Sequence, residues 1–278
     1  MMPDFLAKNY KSATQQARVV TEAWASRELY CPNCLAPALD PTPVNCQATD
    51  FICPACASPF QLKSSKAKIG IKVPDGAYQS MLSAIRENRT PNLLLLSYKQ
   101  MTWQVTDLLI IPHFAFSEQA ILPRKPLAAT ARRAGWIGCN IDLGQITPEA
   151  RIAIIQNGQV ISFALVSKRF AKLQPLRQLK SGERGWILVV LNAIHQSGSA
   201  EFTTRDAYGF ESQLQNIFPG NRHVRQKIRQ QLQVLRDMGL LTHLSRGRWI
   251  TMPDTAGLAW PSPSPRDVTR TNDGPMKR

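Results

Sequence analysis

The chain runs to 278 residues, of which 44% are apolar, and carries a formal net charge of +15. Its length exceeds one ordinary domain and its apolar share is enough for a core, so global disorder is excluded and two domains are expected. The charge asks for an anionic partner, nucleic acid or an acidic membrane surface, and apolar runs such as 93–96 and 108–111 are far too short to cross a bilayer.

Residues 10–27 lack Gly and Pro, and Ala13, Ala17, Val20 and Trp24 recur at helical spacing, which predicts a helix with one apolar face. A cysteine- and proline-rich stretch, 31–59, leads into an alternating segment, 60–63, that reads as a strand. Residues 74–89 predict a helix entered through a turn at Pro74, Asp75 and Gly76. The runs 93–98 and 102–111 predict buried strands, whereas 124–143, basic and glycine-containing around Trp136, reads as a loop. Asn157-Gly158 joins 152–155 to 159–163 in the strongest hairpin signal of the chain. The basic stretch 168–184 reads as a linker.

Beyond it the pattern changes. A helix over 186–195, a short strand over 201–203 and one or two short helices within 206–218 precede a longer helix, 223–238, stopped by Gly239. A small hairpin, 240–244 with 249–251, completes a winged-helix pattern. From Pro253 the composition turns to Pro, Ser, Thr and charge and predicts a disordered tail. The expected division is a first domain over 1–180, a winged-helix domain over 181–252 and a tail over 253–278.

The N-terminus shows no basic segment followed by an apolar stretch and a cleavage site, so a cytoplasmic protein with reduced thiols is expected. In that setting Cys31 and Cys34, separated by 18 residues from Cys53 and Cys56, have the spacing of two zinc knuckles. Four sulfurs close a tetrahedron and leave no open position, so the zinc is expected to be structural. Cys46 and Cys139 stand outside this pattern as ordinary thiols.

Asp50 lies just before the second knuckle, and Gln61, Leu62 and Lys63 just after it, so the knuckle should form the turn of a hairpin. Alternation along a strand puts Gln61 and Lys63 on one face and Leu62 towards the core. An acid on one arm, with an oxygen donor and a lysine two residues apart on the other, is how Mg²⁺-dependent nucleases are organised. Asp50, the Gln61 amide oxygen and the Leu62 carbonyl would hold the ion, and Lys63 would serve the attacking water. Spacing alone does not separate this from a solvated strand face.

Around residue 223 a basic face carries Arg222, Arg225, Arg229 and Arg236 opposite Val224, Ile228, Leu232 and Leu235, as in a recognition helix. Arg246 and Arg248 in the wing suit phosphate contacts. Arg132 and Arg133 before Trp136 suit a DNA-facing loop, with Asn140 a further candidate for a base contact.

The segments YCPNC (30–34), DGAY (75–78), RKPLA (124–128), TARRAGWIGCNIDL (130–143), RGW (184–186) and KIRQQLQVLRD (227–237) make the chain recognisable. It resembles the DpnI family of methyl-directed restriction endonucleases along nearly its whole length. The resemblance implies an α/β PD-(D/E)xK nuclease domain with a four-cysteine zinc site, followed by an α+β winged-helix domain. It further implies that both domains read GATC with N6-methyladenine in double-stranded DNA, Trp136 against the methyl groups. The partner would be methylated DNA and not a membrane, the cofactors Mg²⁺ or Mn²⁺ for catalysis and Zn²⁺ for structure, and the protein a monomer. The family's catalytic aspartate falls on Asp50 and its lysine on Lys63. Its glutamate falls on Gln61, where this chain keeps an oxygen but loses a charge, so a nuclease-dead reader of methylated DNA is the alternative to an active enzyme.

Overall fold

The computed structural model describes residues 1–252 other than 44, 45 and 47, and the tail expected from 253 onward lies outside the described residues. The architecture is mixed α/β. Helix α1 (Ala13–Glu28) buries Val20, Thr21, Trp24 and Ala25. The cysteine-rich segment carries β1 (Asp40–Pro41) and β2 (Phe51–Ile52) before β3 (Pro59–Ser65), β4 (Lys72–Ala77) and α2 (Tyr78–Arg86). Then come β5 (Asn92–Lys99), β6 (Gln104–Ile111), β7 (Ile121–Pro123), β8 (Gly138–Asp142), β9 (Ile152–Gln156) and β10 (Gln159–Val160).

Seven strands form one sheet in the order β1-β2-β3-β5-β6-β9-β10, with β3 and β5 parallel and the other neighbours antiparallel. Its centre is the leucine run of β5, buried on both faces as the continuous apolar sequence requires. A second sheet, β4-β8-β7, stands apart from it.

Three expectations are corrected. Residues 74–76 are not a helix-opening turn but part of β4, which pairs with β8 through Pro74 to Asn140 and Asp75 to Cys139. Pro74 is tolerated because β4 is an edge strand, and the register shift between Asp75 and Ala77 places a bulge at Gly76. The 124–143 loop ends in β8, whose polar Asn140 and Asp142 interrupt the apolar signal. The expected linker is helical: β10 stops at Val160, α3 (Phe163–Leu173) buries Val166, Phe170 and Leu173, and Lys168 and Lys172 between them mask that spacing.

The helix-plus-strand unit beyond α3 begins with α4 (Ser181–Gln196). Strand β11 (Glu201–Thr203), α5 (Thr204–Tyr208), α6 (Glu211–Ile217), α7 (Val224–Asp237), β12 (Leu241–Ser245) and β13 (Arg248–Thr251) complete it, with strand order β11-β13-β12. Every residue from Arg184 to Ile194 is buried, because α4 packs on α7 on one side and on α2 on the other. Three polar residues of α4 fasten this seam. Arg184 donates to the Ile85 carbonyl at 3.2 Å and to Asn88 at 3.1 Å, Asn192 donates to Gln145 at 3.2 Å, and His195 bonds Glu149 at 2.8 Å.

Candidate functional site

The two cysteine turns are built alike. The Cys31 amide donates to the Ala36 carbonyl at 2.9 Å and the Cys53 amide to the Ser58 carbonyl at 3.0 Å. In each, the residue after the second cysteine, Leu35 (φ 67°) or Ala57 (φ 55°), turns left-handed and returns its amide to the first cysteine's carbonyl. The four sulfurs lie within 4.8 Å of one another, with Cys31 3.7 Å from Cys56 and Cys34 3.4 Å from Cys53. A zinc tetrahedron with sulfurs at ~2.3 Å has edges of about 3.8 Å, so this cluster can hold that ion. Burial pushes the Cys31 thiol up. Burial opposes ionisation of Cys56 too, but hydrogen bonds from Ser58 (3.1 Å) and Asn33 (3.4 Å) outweigh it and bring that thiol down to about 6.

The second turn is the tip of the hairpin formed by β2 and β3. At its base the Asp50 amide donates to the Phe60 carbonyl at 2.8 Å, and one Asp50 carboxylate oxygen accepts from the Leu62 amide at 2.7 Å. Asp50, Gln61, Leu62 and Lys63 line one cleft, whose far wall includes Arg18 and Glu22 of α1. Leu62 is half-buried and packs against the core. Sequence reasoning did not place Asp75 here. The Lys63 ammonium sits 2.8 Å from Asp75 Oδ1, and Gln61 Nε2 donates to the same oxygen at 3.4 Å. Asp75 is 9% exposed and reaches this point from β4, a strand of the other sheet, so no spacing along the chain announces it.

Opposite Asp75 in the ladder is Cys139, and beside it Asn140 faces Pro74. Burial, then the Asp75 charge, push the Cys139 thiol up to about 11, so a neutral sulfur lies beneath the acid. The loop joining β7 to β8 is closed by Gly135 to Leu127 and Leu127 to Trp136 backbone bonds, each 3.0 Å. Its tip exposes Arg132 and Arg133, and the Arg133 guanidinium lies 5.5 Å from the Trp136 ring centre. Trp136 is half-buried and rests on Gly138, where an added Cβ would come within 2.8 Å of the indole.

On α7, Val224, Ile228, Leu232 and Leu235 are buried. Arg225, Arg229 and Arg236 stay exposed around its polar side, and Arg222, also exposed, lies just ahead of the helix. Acids partner two of these four arginines: Arg225 bonds Glu211 and Arg236 bonds Asp237, both at 2.7 Å. In the wing Arg248 pairs with Glu201. Among the described residues Arg222, Arg229 and Arg246 form no such ion pair. No helix among the described residues is long and apolar enough to cross a membrane.

A family model described as DpnI, the Dam-replacing family, matches residues 2–179. A second, described as the Dam-replacing HTH domain, matches residues 182–250.

Proposed function

Because the chain belongs to the DpnI, or Dam-replacing, family, we propose that it is a type II restriction endonuclease of the PD-(D/E)xK kind that cleaves double-stranded DNA at GATC carrying N6-methyladenine. The observation that carries this reading is the convergence of Asp50, Gln61 and Lys63 on one cleft at the base of the cysteine loop. The donors are hard oxygens, a carboxylate with one oxygen still available, an amide oxygen and a backbone carbonyl, a set that fits Mg²⁺. When bound, Mg²⁺ supplies charge neutralisation at the scissile phosphate. Asp50, Gln61 and the Leu62 carbonyl would hold it. Lys63 orients the attacking water through its ammonium and offsets the negative charge that builds on the phosphoryl oxygens as the new P–O bond forms and the bond to the leaving 3′ oxygen breaks. The basic face of α7, the wing and the Arg132–Arg133–Trp136 loop would grip the duplex, with the Trp136 ring against the adenine methyl groups.

The uncharged Gln61 favours a second reading, a methyl-adenine reader that binds without cutting. Matched plasmids, with and without adenine methylation, separate the two in Mg²⁺ or Mn²⁺. Cleavage of methylated plasmid alone is expected, lost in Asp50→Ala and in Lys63→Ala while binding persists. Binding without cleavage in either metal would leave the reader.

A further inference from the structure

Glutamine presents two ends of similar shape, and only its oxygen can serve a cation. A carboxylate has no proton to give, so the end of the Gln61 amide that faces Asp75 Oδ1 at 3.4 Å must be its NH₂. The amide oxygen is then turned to the opposite side. The same carboxylate oxygen holds the Lys63 ammonium at 2.8 Å, so one buried acid fixes both residues of the Gln61–Lys63 pair. The bulge at Gly76 comes directly after Asp75, a feature that re-aims neighbouring side chains.

We infer that Asp75 is the positioning residue that makes Gln61 usable as an oxygen donor, locking its amide and the Lys63 ammonium from the strand of a neighbouring sheet. The inference rests on the metal-binding reading above and concerns what the substitution of the family's glutamate requires. A glutamate at position 61 would offer oxygen at both ends and need no such lock. A glutamine without Asp75 would sample both amide orientations, and the nitrogen end cannot ligate.

That difference gives a double-mutant cycle. Mn²⁺ binding to the full-length, zinc-loaded protein is titrated by electron paramagnetic resonance of the free ion, without DNA, for wild type, Asp75→Asn, Gln61→Glu and the double variant. Asp50→Ala marks binding at this site. Asp75→Asn should weaken Mn²⁺ binding in the wild-type background roughly tenfold more than in the Gln61→Glu background, the scale on which partners that orient metal ligands act. Equal losses in the two backgrounds would mean that Asp75 acts as a ligand or as bare charge, and would overturn the inference alone. Wild-type protein that binds no Mn²⁺ would overturn the metal reading and the inference with it. Circular dichroism and zinc content check each variant, and Asp75→Ser replaces Asp75→Asn in the same cycle if the latter does not fold.

Discussion

A charge that already has a partner is worth less to DNA than one that does not. Arg229 projects from α7 without an acid partner among the described residues, while Arg236 is held by Asp237. Each phosphate contact steepens the dependence of log K on log salt by about 0.9. Arg229→Ala should therefore flatten that slope by about one and weaken binding at every sequence, and Arg236→Ala should change it by much less. Equal effects, measured by fluorescence anisotropy between low and moderate salt, would mean that the Asp237 pair opens on binding. The exposure of this face was legible from offsets of three and four along the helix. Its partition into paired and unpaired arginines was legible only for Arg236, whose partner Asp237 is next in the chain, because Glu211 reaches Arg225 from α6. The same asymmetry divides the cleft. Asp50, Gln61 and Lys63 could be read because a hairpin makes them neighbours, while Asp75 could not.

At the scale of elements, β4 performs two tasks that the sequence presents as unrelated. One of its residues, Asp75, holds Gln61 and Lys63, and its Ala77 pairs with Gly138, the residue on which Trp136 rests. Read as Pro-Asp-Gly, the segment signals a turn. Tertiary pairing with β8 overrides that preference at an edge where proline and a bulge are cheap. Gly138→Ala should push the indole off its seat, because the new methyl would lie 2.8 Å from the ring. The expected result is a changed tryptophan emission and a smaller ratio of methylated to unmethylated binding, at a stability cost of about 1–3 kcal/mol. An unchanged ratio would remove Trp136 from methyl recognition. The cysteine loop is an element of the same kind, since its ends carry Asp50 and β3. A strong chelator should unfold it, seen as a loss of circular dichroism, rather than slow the chemistry of an intact fold.

For the whole molecule, one buried histidine makes acid a specific stress. His113 lies under the seam with its Nδ1 buried and unpartnered, and burial, then Arg177 and Arg184, lower its pKa from 6.5 to about 4. The unfolded chain takes up that proton as pH falls through 6.5, and the folded chain refuses it until about 4. The stability this residue contributes is thus complete above the higher value and lost between the two, up to about 3 kcal/mol. Thermal melts from pH 7 to 4 should fall accordingly, and His113→Phe should flatten the fall; an equal slope in the variant would assign the loss elsewhere. The buried strands over 93–98 and 102–111 and the helices and hairpin after residue 184 were readable along the chain. The seam was not, because α4 is buried on all sides from Arg184 to Ile194 and a sequence does not say which neighbours it serves. Since α4 serves two at once, the reading unit is not a cassette. A chimera spliced ahead of Ser181 would discard a helix that packs on α2 and put the foreign graft's own first helix in its place, so exchanging the HTH unit of this scaffold means keeping α4 and diversifying only the elements after it.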